Sequence, residues 1–197
     1  MSDATEEASP GPCLALYGGS FDPPHVAHVL VAAWAKSVAG VDGVLVVPAF
    51  AHAFGKRSAP FADRLALCEA AFADLPFVEV SPIESTLAAP SRTWRTLGAL
   101  ARSRPGARFR LVVGADVLAE TSRWERWEDV AATAPPLVVG RAGHALPPGP
   151  CPVVLPDVSS TELRRRLARG DATEGWLPAS VAEVIEARGL YRDTGAP

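Results

Sequence analysis

The 197-residue chain is 48% hydrophobic and carries a formal net charge of −3 at pH 7. This length supports one compact α/β domain with a real core, and it is short for two domains. A general nucleic-acid binder is usually more basic, so any phosphate site has to be built locally on a mildly acidic background. No stretch approaches the roughly 20 apolar residues of a membrane span, so we expect neither nucleic acid nor membrane as a partner.

The first twelve residues are acidic and contain no apolar run. We expect residues 1–12 to form a disordered tail rather than a signal peptide, and residues 13–197 to form the folded domain. Cys13, Cys68 and Cys151 lie far apart and in no metal-ligand spacing. Free thiols of this kind are typical of a reducing compartment and predict a cytoplasmic protein.

The first elements predict a βαβ unit. An apolar run at residues 14–17 ends at a glycine pair, helical signals extend from residue 25 to about residue 38, and a β-branched run follows at residues 44–47. Strand, glycine-rich turn, helix and strand in this order are typical of that unit. Its helix is apolar on nearly every face, including Leu30 and Trp34, so we expect it to be largely buried.

The rest of the chain continues the alternation. The spacing of apolar residues predicts helices at residues 61–72, 93–104 and 124–132, and strands at residues 77–80, 109–113, 137–139 and 152–155. Strands that alternate with helices predict a single-domain α/β fold, a Rossmann-like parallel sheet with helices on both faces.

Two late helices carry start and stop signals. Ser159 is followed three residues later by Glu162, which is the capping-box spacing, and Gly170 is expected to end that helix. Ser180 and Glu183 repeat the spacing before Gly189. These patterns predict helices that begin at the two serines.

A first phosphate site is predicted at residues 18–28, GGSFDPPHVAH. Two glycines after a strand let the backbone approach a phosphate, and the start of the next helix offers N–H groups and the positive end of its dipole. His25 and His28 are three residues apart, hence on one helical face, and can donate hydrogen bonds to phosphate oxygens. The alternative is a glycine turn followed by two histidines without a ligand, but their phase and position favour the phosphate site.

A second phosphate site is predicted at residues 159–164, SSTELR. Hydroxyl and N–H groups gather at this helix start, and Arg164 lies one turn further on, within reach of the same anion. The alternative is an ordinary capping box beside a solvated arginine face. Two such helix starts in one small domain suggest a triphosphate held between them.

With these motifs the sequence resembles the nucleotidylyltransferase superfamily, which has an HxGH motif and a later ISSTxxR motif. Within it, the chain resembles the bacterial nicotinate mononucleotide adenylyltransferase family. Further matching segments are PSRTWRTL, LVVGAD, TSRWERWEDV, VVGRAG and the closing LPASVAEVIEARGLY, so the resemblance covers nearly the whole chain after the tail. Ala27 stands where the motif has Gly, and Arg92 and Arg95 replace the family's usual Tyr and Asp.

The resemblance implies transfer of AMP from ATP to nicotinate mononucleotide, which yields deamido-NAD and pyrophosphate, with nicotinamide mononucleotide as a second acceptor. Mg²⁺ would accompany ATP without a protein-built metal site. The implied catalytic residues are His25, His28 and Arg164. The implied ATP-binding residues are Gly19, Ser20, Gly114, Asp116, Ser160 and Thr161. The implied mononucleotide-binding residues are Lys56, Thr93, Trp124, Glu125 and Arg141.

Two other functions are compatible with parts of the sequence. One is another adenylyltransferase of the superfamily, with an acceptor such as phosphopantetheine; the Trp124 segment and PSRTWRTL argue against it. The other is a non-catalytic nucleotide-binding regulator, against which both histidines and the complete SSTxxR motif argue. For Trp94 and Trp127, packing in the core is as good an interpretation as ligand contact. A homo-oligomer is also compatible with the sequence.

Overall fold

The computed structural model describes residues 11–51, 58–118, 120–140 and 155–192. Lys56, Arg141 and Cys151 lie outside the described residues, as do residues 1–10 and most of the strand predicted at residues 152–155. The predicted boundary between tail and domain therefore stays a prediction.

In the described part of the chain, five parallel strands form one sheet in the order β3-β2-β1-β4-β5. They are β1 (Cys13–Gly19), β2 (Gly43–Pro48), β3 (Val78–Val80), β4 (Arg108–Gly114) and β5 (Pro136–Val139). Strands β2 and β3 lie on one side of β1, and strands β4 and β5 lie on the other. The direction in which successive strands are added therefore reverses between β1 and β4. Open α/β sheets bind ligands at the carboxyl ends of strands at such a reversal. The predicted parallel sheet is confirmed.

Seven α-helices connect or follow the strands in the described parts of the chain. They are α1 (Val26–Ser37), α2 (Phe61–Phe72), α3 (Thr93–Ser103), α4 (Ala115–Leu118), α5 (Trp127–Thr133), α6 (Ser160–Arg169) and α7 (Ala179–Arg188). The helix predicted from residue 124 begins three residues later, because a short 3₁₀ turn at Thr121–Arg123 is followed by extended backbone at Trp124.

The core lies on both faces of the sheet. Alternate strand residues point to opposite sides, as the two-residue period of a strand requires. Ala15 and Val44 pack with residues of α1, α2, α6 and α7 on one face, whereas Leu16 and Leu45 pack with residues of α3 and α5 on the other. The prediction of helices on both faces is confirmed.

The prediction that α1 is largely buried is only partly correct. Its buried residues form one stripe, Ala27, Val31, Ala32, Trp34 and Ala35. Leu30, by contrast, is 43% exposed. A helix on the face of a sheet buries only the stripe that meets its neighbours, and Leu30 lies outside that stripe.

The helix signals near the end of the chain have different outcomes. Ser159 caps α6 as predicted, because its Oγ accepts a hydrogen bond from the Glu162 N–H at 3.2 Å. Gly170 ends α6 in the left-handed conformation, and Gly189 ends α7 in the same way.

The prediction that Ser180 caps α7 is wrong. Pro178 occupies the cap position, and the Ser180 Oγ donates to the Ala70 carbonyl of α2 at 2.8 Å. Proline is well suited to this place, since it has no N–H to satisfy and its φ is already fixed. The hydroxyl is therefore used for packing between two helices.

Cys13 and Cys68 are free thiols, as predicted. Cys68 is fully buried, and its burial raises the pKa of the thiol well above the ordinary value. A thiol of this kind is inert and belongs to the core. Among the described residues, no helix is long and apolar enough to cross a membrane.

Leu67→Ala is expected to lower the free energy of unfolding by about 2–5 kcal/mol, because Leu67 is fully buried and the substitution leaves a cavity. Leu30→Ala is the matched control on α1; its side chain is 43% exposed, so a loss within about 0.5 kcal/mol is expected. Urea unfolding of both variants measures the difference. Equal losses would contradict the division between core and surface described above.

Candidate active site

A cavity of about 650 Å³ opens at the carboxyl ends of β1 and β4. Its volume lies within the usual range of small-molecule sites. Many of the residues predicted for the site line it, namely Gly19, Ser20, His25, His28, Thr93, Gly114, Asp116, Trp124, Glu125, Ser160 and Thr161. Segments that are distant in sequence thus meet in one place.

The two histidines lie together at the start of α1. His25 is the cap residue and is 6% exposed, and the ring of His28 stacks on it with 3.8 Å between the ring centroids. The His25 backbone N–H donates to His28 Nδ1 at 3.0 Å. Because Nδ1 accepts this bond, a neutral His28 ring carries its proton on Nε2 and can donate only from there.

Buried Arg64 holds the glycine-rich loop in place through hydrogen bonds. It is 2% exposed and donates to three carbonyl oxygens, those of Ser20 at 2.9 Å, Ala49 at 2.7 Å and Ala59 at 2.9 Å. Burial lowers the pKa of Arg64, an effect that the nearby Asp22 carboxylate opposes. Arg64 was not identified from the sequence. Its spacing was a usable signal, because Arg64 precedes the buried Leu67 and Cys68 by three and four positions and so shares their helical face.

The start of α6 lies directly against the same loop. Ser160 Oγ donates to the Pro23 carbonyl at 2.9 Å, and Arg164 Nη1 donates to the Asp22 carbonyl. Arg164 Nη2 also donates to Thr161 Oγ1 at 3.3 Å. The two predicted phosphate segments are therefore neighbours at one end of the cavity. Arg164 is not among the residues that line the cavity, so its contact with a phosphate stays a prediction.

Gly114 and Asp116 lie where β4 ends. A Cβ at position 114 would stand 2.3 Å from Asp116 Oδ1, which only a glycine avoids without a shift of the carboxylate. Glycine at 114 therefore lets the Asp116 carboxylate fold over the strand end and line the cavity. A carboxylate is a natural acceptor for a pair of sugar hydroxyls.

Thr93 and Trp124 line the other end of the cavity. Thr93 is the first residue of α3, and the Trp124 and Trp127 rings pack edge to face with 5.6 Å between their centroids. Arg92 Nε lies 3.1 Å from Glu125 Oε2, and this ion pair joins the start of α3 to the Trp124 segment. An aromatic face beside a guanidinium group suits a planar ring that carries negative charge.

Glu84 supports this end and was not predicted. It is 9% exposed and lines the cavity, and its two carboxylate oxygens accept from the Thr96 hydroxyl at 2.7 Å and from the Phe50 N–H at 3.1 Å. These bonds hold α3 against the segment after β2. No sequence pattern marks Glu84, since its partners lie 12 and 34 residues away.

Arg95, three positions after Arg92, does not line the cavity. Its guanidinium group stacks on the Trp94 ring at 5.1 Å and donates to the Ala88 carbonyl at 3.2 Å. Trp94 and Trp127 both pack against the core on this face of the sheet, and only Trp124 of these three tryptophans lines the cavity. Core packing is therefore the correct interpretation of Trp94 and Trp127.

Comparison with known proteins agrees with this geometry. The cytidylyltransferase-like family model matches residues 16–166. A relative from Anaeromyxobacter sp. (strain K), named as a probable nicotinate-nucleotide adenylyltransferase, is 50% identical over 91% of this chain and 96% of its own length. A relative of the same name from Thermus thermophilus is 37% identical over 91% of this chain and 99% of its own length.

A solved structure shares the fold. The nicotinic acid mononucleotide adenylyltransferase of Plasmodium falciparum, complexed with NaAD, has a TM-score of 0.78 at 18% identity, over 92% of this chain and 98% of its own. From the extent of the family match and the identity to the bacterial relatives, the chain belongs to the cytidylyltransferase-like family and to the nicotinate-nucleotide adenylyltransferases.

Proposed function

We propose that this protein transfers AMP from ATP to nicotinate mononucleotide, yielding deamido-NAD and pyrophosphate, in the cytoplasm. The observation that carries the proposal is the arrangement of the cavity. Two helix starts with His25, His28, Ser160 and Thr161 line one end, and the Trp124 ring lines the other. One end thus suits a triphosphate and the other a planar acceptor, which agrees with the name given to the bacterial relatives.

The chemistry requires little covalent help from the protein. The 5′-phosphate of the mononucleotide attacks the α-phosphorus of ATP, a new phosphorus–oxygen bond forms, and the bond to the β-phosphate oxygen breaks as pyrophosphate leaves with the electron pair. The nucleophile is already an anion, so no general base is needed. Catalysis then rests on alignment and on donors that meet the developing charge. We expect His28 Nε2, His25 and the start of α6 to supply these donors.

Mg²⁺ is expected to accompany ATP. Among the described residues, no group of three or more His, Cys, Asp or Glu side chains could hold a metal ion. Mg²⁺ commonly keeps its waters and binds mainly to substrate phosphates, so it does not require such a group. When bound, the ion would neutralise part of the phosphate charge.

A panel of acceptors tests the proposal directly. With ATP and Mg²⁺, we expect pyrophosphate release with nicotinate mononucleotide and none above background with phosphopantetheine, since the Trp124 ring suits a planar acceptor. Pyrophosphate release with phosphopantetheine and not with nicotinate mononucleotide would show that the protein uses a different acceptor. ATP binding without release for any acceptor would support a nucleotide-binding regulator instead.

His28→Ala is expected to lower kcat by roughly 100-fold or more, the scale of losing one transition-state donor. His28→Asn is the matched variant, because its amide oxygen can still accept from the His25 N–H while the Nε2 donor is lost. His28→Asn should keep the Tm of the parent, whereas His28→Ala also loses the bond from the His25 N–H and should lower Tm. Both variants should lose similar activity. Near-normal turnover in His28→Asn alone would show that His28 acts only by holding the loop.

Arg92→Ala is expected to reduce the preference for nicotinate over nicotinamide mononucleotide by about tenfold, the scale of one charge-assisted hydrogen bond. Arg92 lines the cavity, and Glu125 offsets part of its charge, so a larger effect is not expected. Arg95→Ala is the control, since Arg95 stacks on Trp94. The ratio of kcat/KM for the two acceptors measures the change. If this ratio is unchanged in Arg92→Ala, the selectivity comes from backbone N–H groups and not from Arg92.

A further inference from the structure

Asp22 is a buried carboxylate inside the glycine-rich loop. It is 2% exposed, and its Oδ1 accepts from the Tyr191 hydroxyl at 2.8 Å and from the Ala59 N–H at 3.2 Å. Its Oδ2 lies 3.5 Å from Arg164 Nη1, which also donates to the Asp22 carbonyl oxygen. Asp22 is thus in contact with both the start of α6 and the segment that follows α7.

Tyr191 reaches Asp22 from beyond the end of α7, 169 positions along the chain. Its backbone is left-handed, with φ of 59°, a conformation uncommon for residues other than glycine. Such a conformation persists only where the surroundings fix it. Burial and the neighbouring Asp22 carboxylate raise the pKa of Tyr191 well above the ordinary value, so the hydroxyl keeps its proton and remains a donor.

Arg164 is held on two sides. Asp22 contacts Nη1, and the Thr161 hydroxyl accepts from Nη2 at 3.3 Å. Thr161 lines the cavity beside Ser160. The direction of the guanidinium group therefore depends on where the Asp22 carboxylate lies, and one of its oxygens is fixed by Tyr191.

We propose that Tyr191 is a positioning residue for the ATP site, acting through Asp22 on Arg164 and on the glycine-rich loop. The inference rests on the proposed function in placing ATP at this end of the cavity. Without the hydroxyl, Asp22 Oδ1 loses one of its two donors. The carboxylate can then shift against Arg164, and the guanidinium group loses its fixed position beside Thr161. Thr93 and Trp124 lie at the other end and do not take part in these contacts, so we expect the acceptor site to keep its geometry.

Tyr191→Phe tests this, because it keeps the ring and removes only the hydroxyl. We expect KM for ATP to rise about tenfold, the scale of one lost hydrogen bond to a charged group, with KM for the mononucleotide within about twofold of the parent. The increase in Tm caused by pyrophosphate should shrink in parallel. Ile185→Val, a change at a buried position of α7, is the structural control and should lower Tm without moving either KM.

A double variant tests whether Tyr191 acts through Asp22. If Tyr191 acts through Asp22, the double variant Asp22→Asn/Tyr191→Phe should bind ATP no more weakly than Asp22→Asn alone. Effects that multiply would overturn the inference, as would a Tyr191→Phe enzyme with the ATP KM and pyrophosphate response of the parent. A parent that fails to use nicotinate mononucleotide would overturn the proposed function instead, because the pyrophosphate response needs no acceptor.

Discussion

The proposed anion site depends on where the carbonyl groups of the glycine-rich loop are bound. The Gly19 carbonyl accepts from the Ala49 N–H at 2.9 Å, and the Ser20 carbonyl accepts from buried Arg64 at 2.9 Å. In a trans peptide unit the C=O and N–H groups point in opposite directions. Because the Gly19 and Ser20 carbonyls are bound within the protein, the N–H groups of the same peptide units point away from Ala49 and Arg64. These N–H groups are the ones that can bind an anion. Carbonyl oxygens in the same place would repel a phosphate.

Aromatic packing stabilises the strained backbone of this loop. Phe21 has a φ of 48° and is 2% exposed, with its ring 5.3 Å from Tyr17, 5.0 Å from His28 and 6.4 Å from Phe72. A left-handed residue other than glycine costs of order 1–3 kcal/mol. Burial of a phenylalanine contributes roughly 1.5–3 kcal/mol, and each aromatic pair adds about 0.5–1.5 kcal/mol. Packing therefore outweighs the strain, and the same ring supports the His28 side chain.

Local patterns in the sequence predicted the sheet and both helix starts, because strand periodicity, glycine turns and the Ser159 cap act over a few residues. Residues whose role depends on tertiary contacts were missed or misread. Arg64 is defined by carbonyls up to 44 positions away, and Glu84 by partners in two other segments. Ser180 has the same capping spacing as Ser159, yet Pro178 and the nearby Ala70 carbonyl decide its role. Spacing alone does not distinguish a cap from a contact between helices.

The two ends of the cavity are held by interactions of different strength. At the end proposed for the phosphates, Asp22 is almost fully buried, and a buried charged group that loses a partner destabilises the fold strongly. At the acceptor end, the side chains of Arg92 and Glu125 are 29% and 47% exposed, and an exposed ion pair contributes only about 0–1 kcal/mol. Substitutions at the acceptor end can therefore change which ring is accepted while the phosphate end keeps its geometry. Arg92 lies at the end where such a change costs little.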